Sequence, residues 1–352
     1  MGRKHYIDNL RWLCVLALFP YHTFMVFNSF GESFYVHGAS VTSTTWIIQA
    51  MWPWLMPLMF VLAGISSAYA LNKRSCAEYV KERVLRLLVP LIFGILLLVP
   101  LQTYIEERFH NGYTGGYLAQ YILFFTKPTD LSGYNGGFTP AHLWFILYLF
   151  VISLIGLPLM RLYQKSQKKL NFARVPTFAL LPLFLIPCLM QMILDISGKS
   201  VGEYFAFFML GYLVLSDEIV LQKLIKSRWW LTALVAACLA VYLVVGGALP
   251  ILPLELLYSF IAWAVILALL GLAGQYLNFE NSTTAYLSKA SFSLYLFHQQ
   301  WVVVAAYFAL AIVPSVPLQM IAIIAVSFAL TLLTYEIARR VGFFRVIFGM
   351  KQ

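Results

Sequence analysis

The chain has 352 residues, 61% of them hydrophobic and only 11% charged, with a formal net charge of +10. Soluble domains carry about 25% charged residues, so this composition excludes an ordinary soluble enzyme and defines an all-α polytopic membrane protein. No polar stretch is long enough to build a second core, and residues 1–352 read as one integral-membrane domain.

Ten apolar segments follow in chain order, at 9–27, 46–71, 85–104, 143–160, 176–194, 203–215, 229–246, 251–273, 286–310 and 318–338. A crossing helix needs about 20 residues, and 203–215 is short for one. With the N-terminus cytoplasmic, ten spans leave all but three basic residues, Arg108, Lys127 and Lys199, on the inner side. That asymmetry is the positive-inside pattern, with both termini cytoplasmic. The basic charge therefore reports topology and membrane lipid contact, and nucleic acid is not an expected partner.

The first segment follows Arg3 and Lys4 and has the outline of a signal peptide. It lacks a small-x-small cleavage site and is expected to be retained. Arg11 and His22 lie eleven positions apart, close to three helical turns, so they share one face about 16 Å apart along the axis. Ionisable side chains at such depth usually face a cavity or a reaction centre. Asp8, three residues before Arg11, is placed to fix the guanidinium, which then offers a planar fork to a phosphate. His22 is desolvated and available as a base. A histidine that merely packs against a neighbouring helix is the competing reading.

In the second segment Ala63, Gly64, Ser66, Ser67 and Ala68 form a small-residue stripe, read first as helix packing and second as the wall of a narrow ligand tunnel. At the entry to the third, KERVLRLLVP sets Arg83 and Arg86 at i, i+3. Two guanidiniums on one face suit a polyphosphate, although in isolation they read first as topology anchors snorkelling to lipid head groups. The outer connection 105–141 is rich in glycine and aromatics. Its apolar stretch Tyr117 to Phe125 fits an interfacial belt, with stacking on sugar faces the alternative. AHLWF at 141–145 brings His142 and Trp144 to the fourth span, as interface anchors or as contacts to an external substrate. In SFSLYLFH at 291–298, Ser291, Tyr295 and His298 share a helix face, and His298 is a second deep histidine. Cys14, Cys76, Cys188 and Cys238 have neither metal-ligand nor disulfide spacing, no H-x-x-x-H occurs, and a metal site is not expected.

Taken together and in order, these segments resemble the membrane acyltransferase-3 family. The family's arginine, ten residues and histidine on the first helix correspond to Arg11 and His22. Its R-x-x-R-L-x-x-P corresponds to Arg83 through Pro90, its H-L-W-F to 142–145, and its S-x-Y-L-x-H to Ser293, Tyr295, Leu296 and His298. The sequence departs at Ala63, where the family often has serine. The H-L-W-F region and modest length are similar to a glucan-modifying group associated with succinylation.

The resemblance implies a stand-alone O-acyltransferase in a bacterial inner or plasma membrane. It would move an acyl group, acetyl or succinyl, from cytoplasmic acyl-CoA (acetyl-CoA or succinyl-CoA, a co-substrate) to a hydroxyl of a cell-surface carbohydrate or glycolipid. Arg11, Arg83 and Arg86, with Asp8, would hold the coenzyme phosphates. His22 would act as general base or transient acyl carrier. His298, Tyr295 or Ser291 would stabilise the oxyanion, and His142 and Trp144 would meet the acceptor. A homo-oligomer is compatible with this scheme. The competing function is a transporter or flippase of a lipid-linked sugar, which would use the same cavity without making a bond.

Overall fold

Backbone amides in hydrocarbon must find partners within their own segment, and the apolar runs of this chain accordingly become helices. A computed structural model describes residues 4–31, 34–129, 131–167 and 169–350. Of the basic residues counted above, Arg3, Lys168 and Lys351 lie outside the described residues.

The helices are α1 His5–Met25, α2 Thr42–Leu71, α3 Cys76–Arg83, α4 Val89–Leu97, α5 Val99–His110, α6 Tyr117–Thr126 and α7 Trp144–Lys165. They continue with α8 Leu185–Met190, α9 Val201–Leu210, α10 Glu218–Val245, α11 Ile251–Tyr276, α12 Ser282–Ile312, α13 Val316–Ala338 and α14 Gly342–Ile347. A two-stranded hairpin, β1 Asp195–Ile196 and β2 Lys199–Ser200, precedes α9.

Among the described residues, seven helical stretches are long and apolar enough to cross a membrane. The protein is a multi-pass helical membrane protein. Three of the ten expected segments are not among the seven. The first forms α1, whose apolar run is interrupted by Asp8, Arg11 and His22. The segment 176–194 breaks into a 3-10 stretch, Thr177–Phe184, with Pro182 inside it, followed by the short α8. The segment 203–215 becomes α9 and a π turn, Gly211–Leu215.

Interleaved segments assemble into two compact units. The first comprises Met1–Cys14, Gln49–Arg83 and Tyr148–Ser288. Its core is built on α11 and α9: Trp263, Phe207, Phe208, Ile261 and Leu267 are fully buried. The Trp263 indole N–H donates to the carbonyl of Leu180 at 2.8 Å, so the one polar atom of that ring is satisfied.

The small-residue stripe of α2 has a clear packing role within this unit. A Cβ on Gly64 would overlap the carbonyl of Phe208, and one on Gly211 would overlap the carbonyl of Val61. The two glycines thus permit a reciprocal backbone-to-backbone crossing. Gly64→Ala is expected to cost about 1–3 kcal/mol of stability by overpacking. The measurement is a thermal melt of the purified variant in detergent, and an unchanged midpoint would contradict the crossing.

The second unit comprises Val15–Ile48, Val84–Leu147 and Lys289–Gln352. Phe19, Phe27, Phe34, Ile105, Val302 and Ala306 belong to its buried core. The outer connection is ordered rather than featureless. Lys127 pairs with Glu107 at 3.0 Å, and Gln120 donates to the carbonyl of Gly136 at 2.9 Å. Gly136 has φ +73°, and a Cβ there would collide with Glu107, so only glycine fits. At the end of this connection the Thr139 hydroxyl accepts from the Ala141 amide at 2.9 Å and donates to the carbonyl of Leu131 at 2.7 Å. That clamp holds Ala141 at φ +46°, a left-handed conformation that an alanine adopts only when forced. The elbow delivers His142 to the interior.

Candidate functional site

In the first unit α1 and α2 build a cationic group. Asp8 lies in the first turn of α1, where a carboxylate suits the helix dipole. Arg11 donates from Nη1 to Asp8 Oδ1 at 3.1 Å and from Nη2 to the Ser66 hydroxyl at 2.9 Å. Ser66 gives its own hydrogen to the carbonyl of Leu62 at 2.7 Å. Ser67 is arranged in parallel. It donates to the carbonyl of Ala63 at 2.8 Å and receives Arg83 Nη2 at 3.2 Å. With the serine hydrogen spent, the Tyr79 hydroxyl, 2.9 Å away, donates to Ser67. The Arg83 guanidinium lies 4.5 Å above the Tyr79 ring, and its buried Nε has no hydrogen-bond partner. Two guanidiniums therefore sit on adjacent serine hydroxyls with a single carboxylate beside them. Such a group favours a polyanion.

The second arginine of the R-x-x-R pair is placed differently. Arg83 ends α3, whereas Arg86 lies in a π turn, Val84–Leu88, of the second unit. The i, i+3 spacing puts side chains on one face only in an α-helix, and the wider π turn breaks that register. Arg86 is half-buried beside the C-terminal segment, where a Cβ on Gly349 would touch its backbone.

In the second unit three histidines gather. His298, on α12, is fully buried. Its Nδ1 is 2.6 Å from the carbonyl of Tyr295 and so carries the hydrogen. Nε2 is then the lone-pair nitrogen of the neutral ring, and it has no hydrogen-bond partner. His142 donates through Nε2 to the carbonyl of Leu296 at 3.0 Å. Its Nδ1 receives the Gln102 amide at 3.5 Å, and Gln102 Oε1 in turn receives Gln299 Nε2 at 3.0 Å. Both nitrogens of His142 are thus engaged inside the protein. The Tyr295 hydroxyl donates to the backbone carbonyl of His142.

His22, near the end of α1, is half-buried, and its Nδ1 has no hydrogen-bond partner. Its ring lies nearly parallel to Phe34, 5.8 Å between centroids at 15°. Phe34 is held at φ +41°, a strained conformation for an aromatic residue. The His22 and His142 rings each lie 5.2 Å from the ring of His298. Pro20, inside α1, leaves the carbonyl of Leu16 without its helical partner two residues before His22. Trp144 is half-buried at the start of α7, and Ser291 is buried on α12.

The first unit holds a cation pair on serine hydroxyls, and the second holds a cluster of imidazoles in which His22 Nδ1 and His298 Nε2 have no hydrogen-bond partner. Among the described residues no three His, Cys, Asp or Glu side chains converge as metal ligands. Tyr79, Gln102, Gln299 and Phe34 were not singled out by sequence, and Ser66 and Ser67 were read as packing or tunnel wall, not as partners of arginines. The polar residues Gln102 and Gln299 inside apolar spans were the available signal.

A polytopic helical protein with a cationic group and a buried imidazole cluster is suited to group transfer within a membrane. The acyltransferase domain model of the acyltransferase-3 family matches residues 4–336, and the chain belongs to that family. It is a membrane acyltransferase. The chain is 21% identical over 384 residues to glucans biosynthesis protein C of Salmonella paratyphi A, covering 99% of this chain and 95% of that protein. It is 23% identical over 385 residues to glucans biosynthesis protein C of Salmonella enteritidis PT4, with the same coverage. No solved structure matches the chain.

Proposed function

We propose that this protein transfers an acetyl or succinyl group from acyl-CoA to a hydroxyl of a cell-envelope carbohydrate or glycolipid. The reading rests on one observation above all: His298 Nε2 and His22 Nδ1 are both unpartnered, on rings 5.2 Å apart. In the proposed topology ten segments cross a bacterial plasma membrane and both termini are cytoplasmic. Arg11 and Arg83, seated on Ser66 and Ser67, take the donor's phosphates. Arg11 and His22 are on one helix, about 16 Å of rise apart, a length that the pantetheine arm spans.

His22, half-buried and so within reach of substrates, is the general base. It takes the proton of the acceptor hydroxyl while that oxygen attacks the thioester carbon. The carbon–sulfur bond breaks, and the proton passes to the departing thiolate as coenzyme A leaves. His298 backs His22 as the second imidazole and stabilises the imidazolium that His22 becomes until the proton leaves with the thiol. Tyr295 and His142 act as positioning residues: the tyrosine O–H holds the backbone at His142, and both ring nitrogens of His142 are already bonded. Trp144 is assigned to the acceptor side.

The test is mass spectrometry of cell-surface glycans from a deletion strain and a His22→Ala strain. An ester-linked mass should disappear in both. Unaltered glycan esters in the His22→Ala strain, at normal protein level, would reject the mechanism. Loss of the whole glycan from the surface rather than of its esters would favour a transporter.

A further inference from the structure

One polar face of the second unit is left over from this scheme. Glu106 is 2% exposed and its Oε2 has no hydrogen-bond partner. Gln299 is 4% exposed, and although its Nε2 is held by Gln102, its Oε1 has no partner either. Gln102 and Glu106 are four residues apart on α5, so both project from the same face of that helix. Neighbouring Glu107 is different: Lys127 at 3.0 Å and Asn111 at 3.1 Å satisfy it.

Buried polar atoms are nearly always paired, and each exception calls for a cause. Gln299 Oε1 can only accept, whereas Glu106, buried without a cation of its own, is held as a neutral carboxyl that can both accept and donate. An acyl chain brings no donor to them. A phosphate or carboxylate brings only further acceptors to Gln299 Oε1, and no cation stands beside Glu106 to hold its charge. A neutral polyol brings hydroxyl donors on adjacent carbons, and it matches.

We propose that Glu106 and Gln299 form the acceptor subsite, taking hydroxyls of a neutral carbohydrate that flank the one to be acylated. Their grip decides which hydroxyl meets His22 and His298. Gln102 ties the subsite to the imidazole cluster, because it accepts from Gln299 and donates to His142. The assignment rests on the carbohydrate-acylating reading, but binding at this subsite is measurable without any acyl transfer.

The experiment is calorimetric titration of the full-length protein in nanodiscs with a neutral glucan tetrasaccharide. Glu106→Ala is expected to weaken binding about 2- to 10-fold, the scale of a neutral hydrogen bond. Glu106→Gln keeps an acceptor oxygen at the same reach and should lose less, while acyl-CoA binding stays unchanged in both. A second measurement needs no variant: the tetrasaccharide should protect Glu106, and not Glu107, from carbodiimide modification. Absence of binding to the natural protein, equal affinity in Glu106→Ala, or unprotected Glu106 would each overturn the subsite. Binding through Glu106 by a protein that never transfers an acyl group would instead sink the acyltransferase chemistry and leave the subsite standing.

Discussion

His298→Gln is expected to lower acyl transfer by about 10²- to 10⁴-fold, the range that a positioned acid–base group contributes, with acyl-CoA affinity unchanged. Glutamine is chosen because its side-chain amide can still donate to the Tyr295 carbonyl that His298 Nδ1 now serves. The fold-holding hydrogen bond then survives while the lone pair at Nε2 is lost. Alanine would remove both and open a cavity at a fully buried position, confounding chemistry with stability. Rates at saturating donor, read beside a thermal melt, separate the two. His142→Gln is the comparison: with both ring nitrogens bonded internally, it acts only through the geometry of its neighbours, and its replacement should lower turnover far less than that of His298. Equal losses at the two positions would mean that the cluster is held together by packing alone.

Cost decides which residues a sequence makes conspicuous. Arg11 and His22 stood out because a charge or an imidazole in an apolar helix is costly and needs a reason. His298 stood out for the same reason. The multi-pass helical character followed from hydropathy. What was illegible involved groups whose cost is small or whose partner is distant in sequence. Ser66 and Ser67 read as packing residues, since each returns its hydrogen to its own helix, and only the fold shows that their oxygens receive two arginines. The bonds from Gln102 to His142 and Gln299 join residues 40 and 197 positions apart. The π turn at Val84–Leu88 has no sequence marker, and α-helical spacing does not describe it. The 3-10 stretch before α8 is a milder case, because Pro182 marks a break in the segment without fixing what replaces the α-helix.

Arg11→Lys should raise the KM for acyl-CoA on the order of 10- to 100-fold, nearly as much as Arg11→Ala, because it removes charge-assisted hydrogen bonds to a polyanion. Lysine keeps the charge, so a purely electrostatic role would leave it active. The structure argues for geometry: Arg11 reaches Asp8 and Ser66 at once from two nitrogens of one plane, and a lysine's point charge cannot hold both while offering a fork to phosphate. Ser66→Ala should have a smaller effect in the same direction, since it loosens the fork without removing it. The decisive arm compares acyl-CoA with its analogue lacking the 3′-phosphate. If Arg11 binds that phosphate, the Arg11→Lys penalty shrinks with the analogue; if Arg11 binds the diphosphate, the penalty persists and Arg83→Lys becomes the substitution whose penalty shrinks. Wild-type KM in Arg11→Lys would show that the fork is not used, and the cation pair on Ser66 and Ser67 would lose its role in holding the donor.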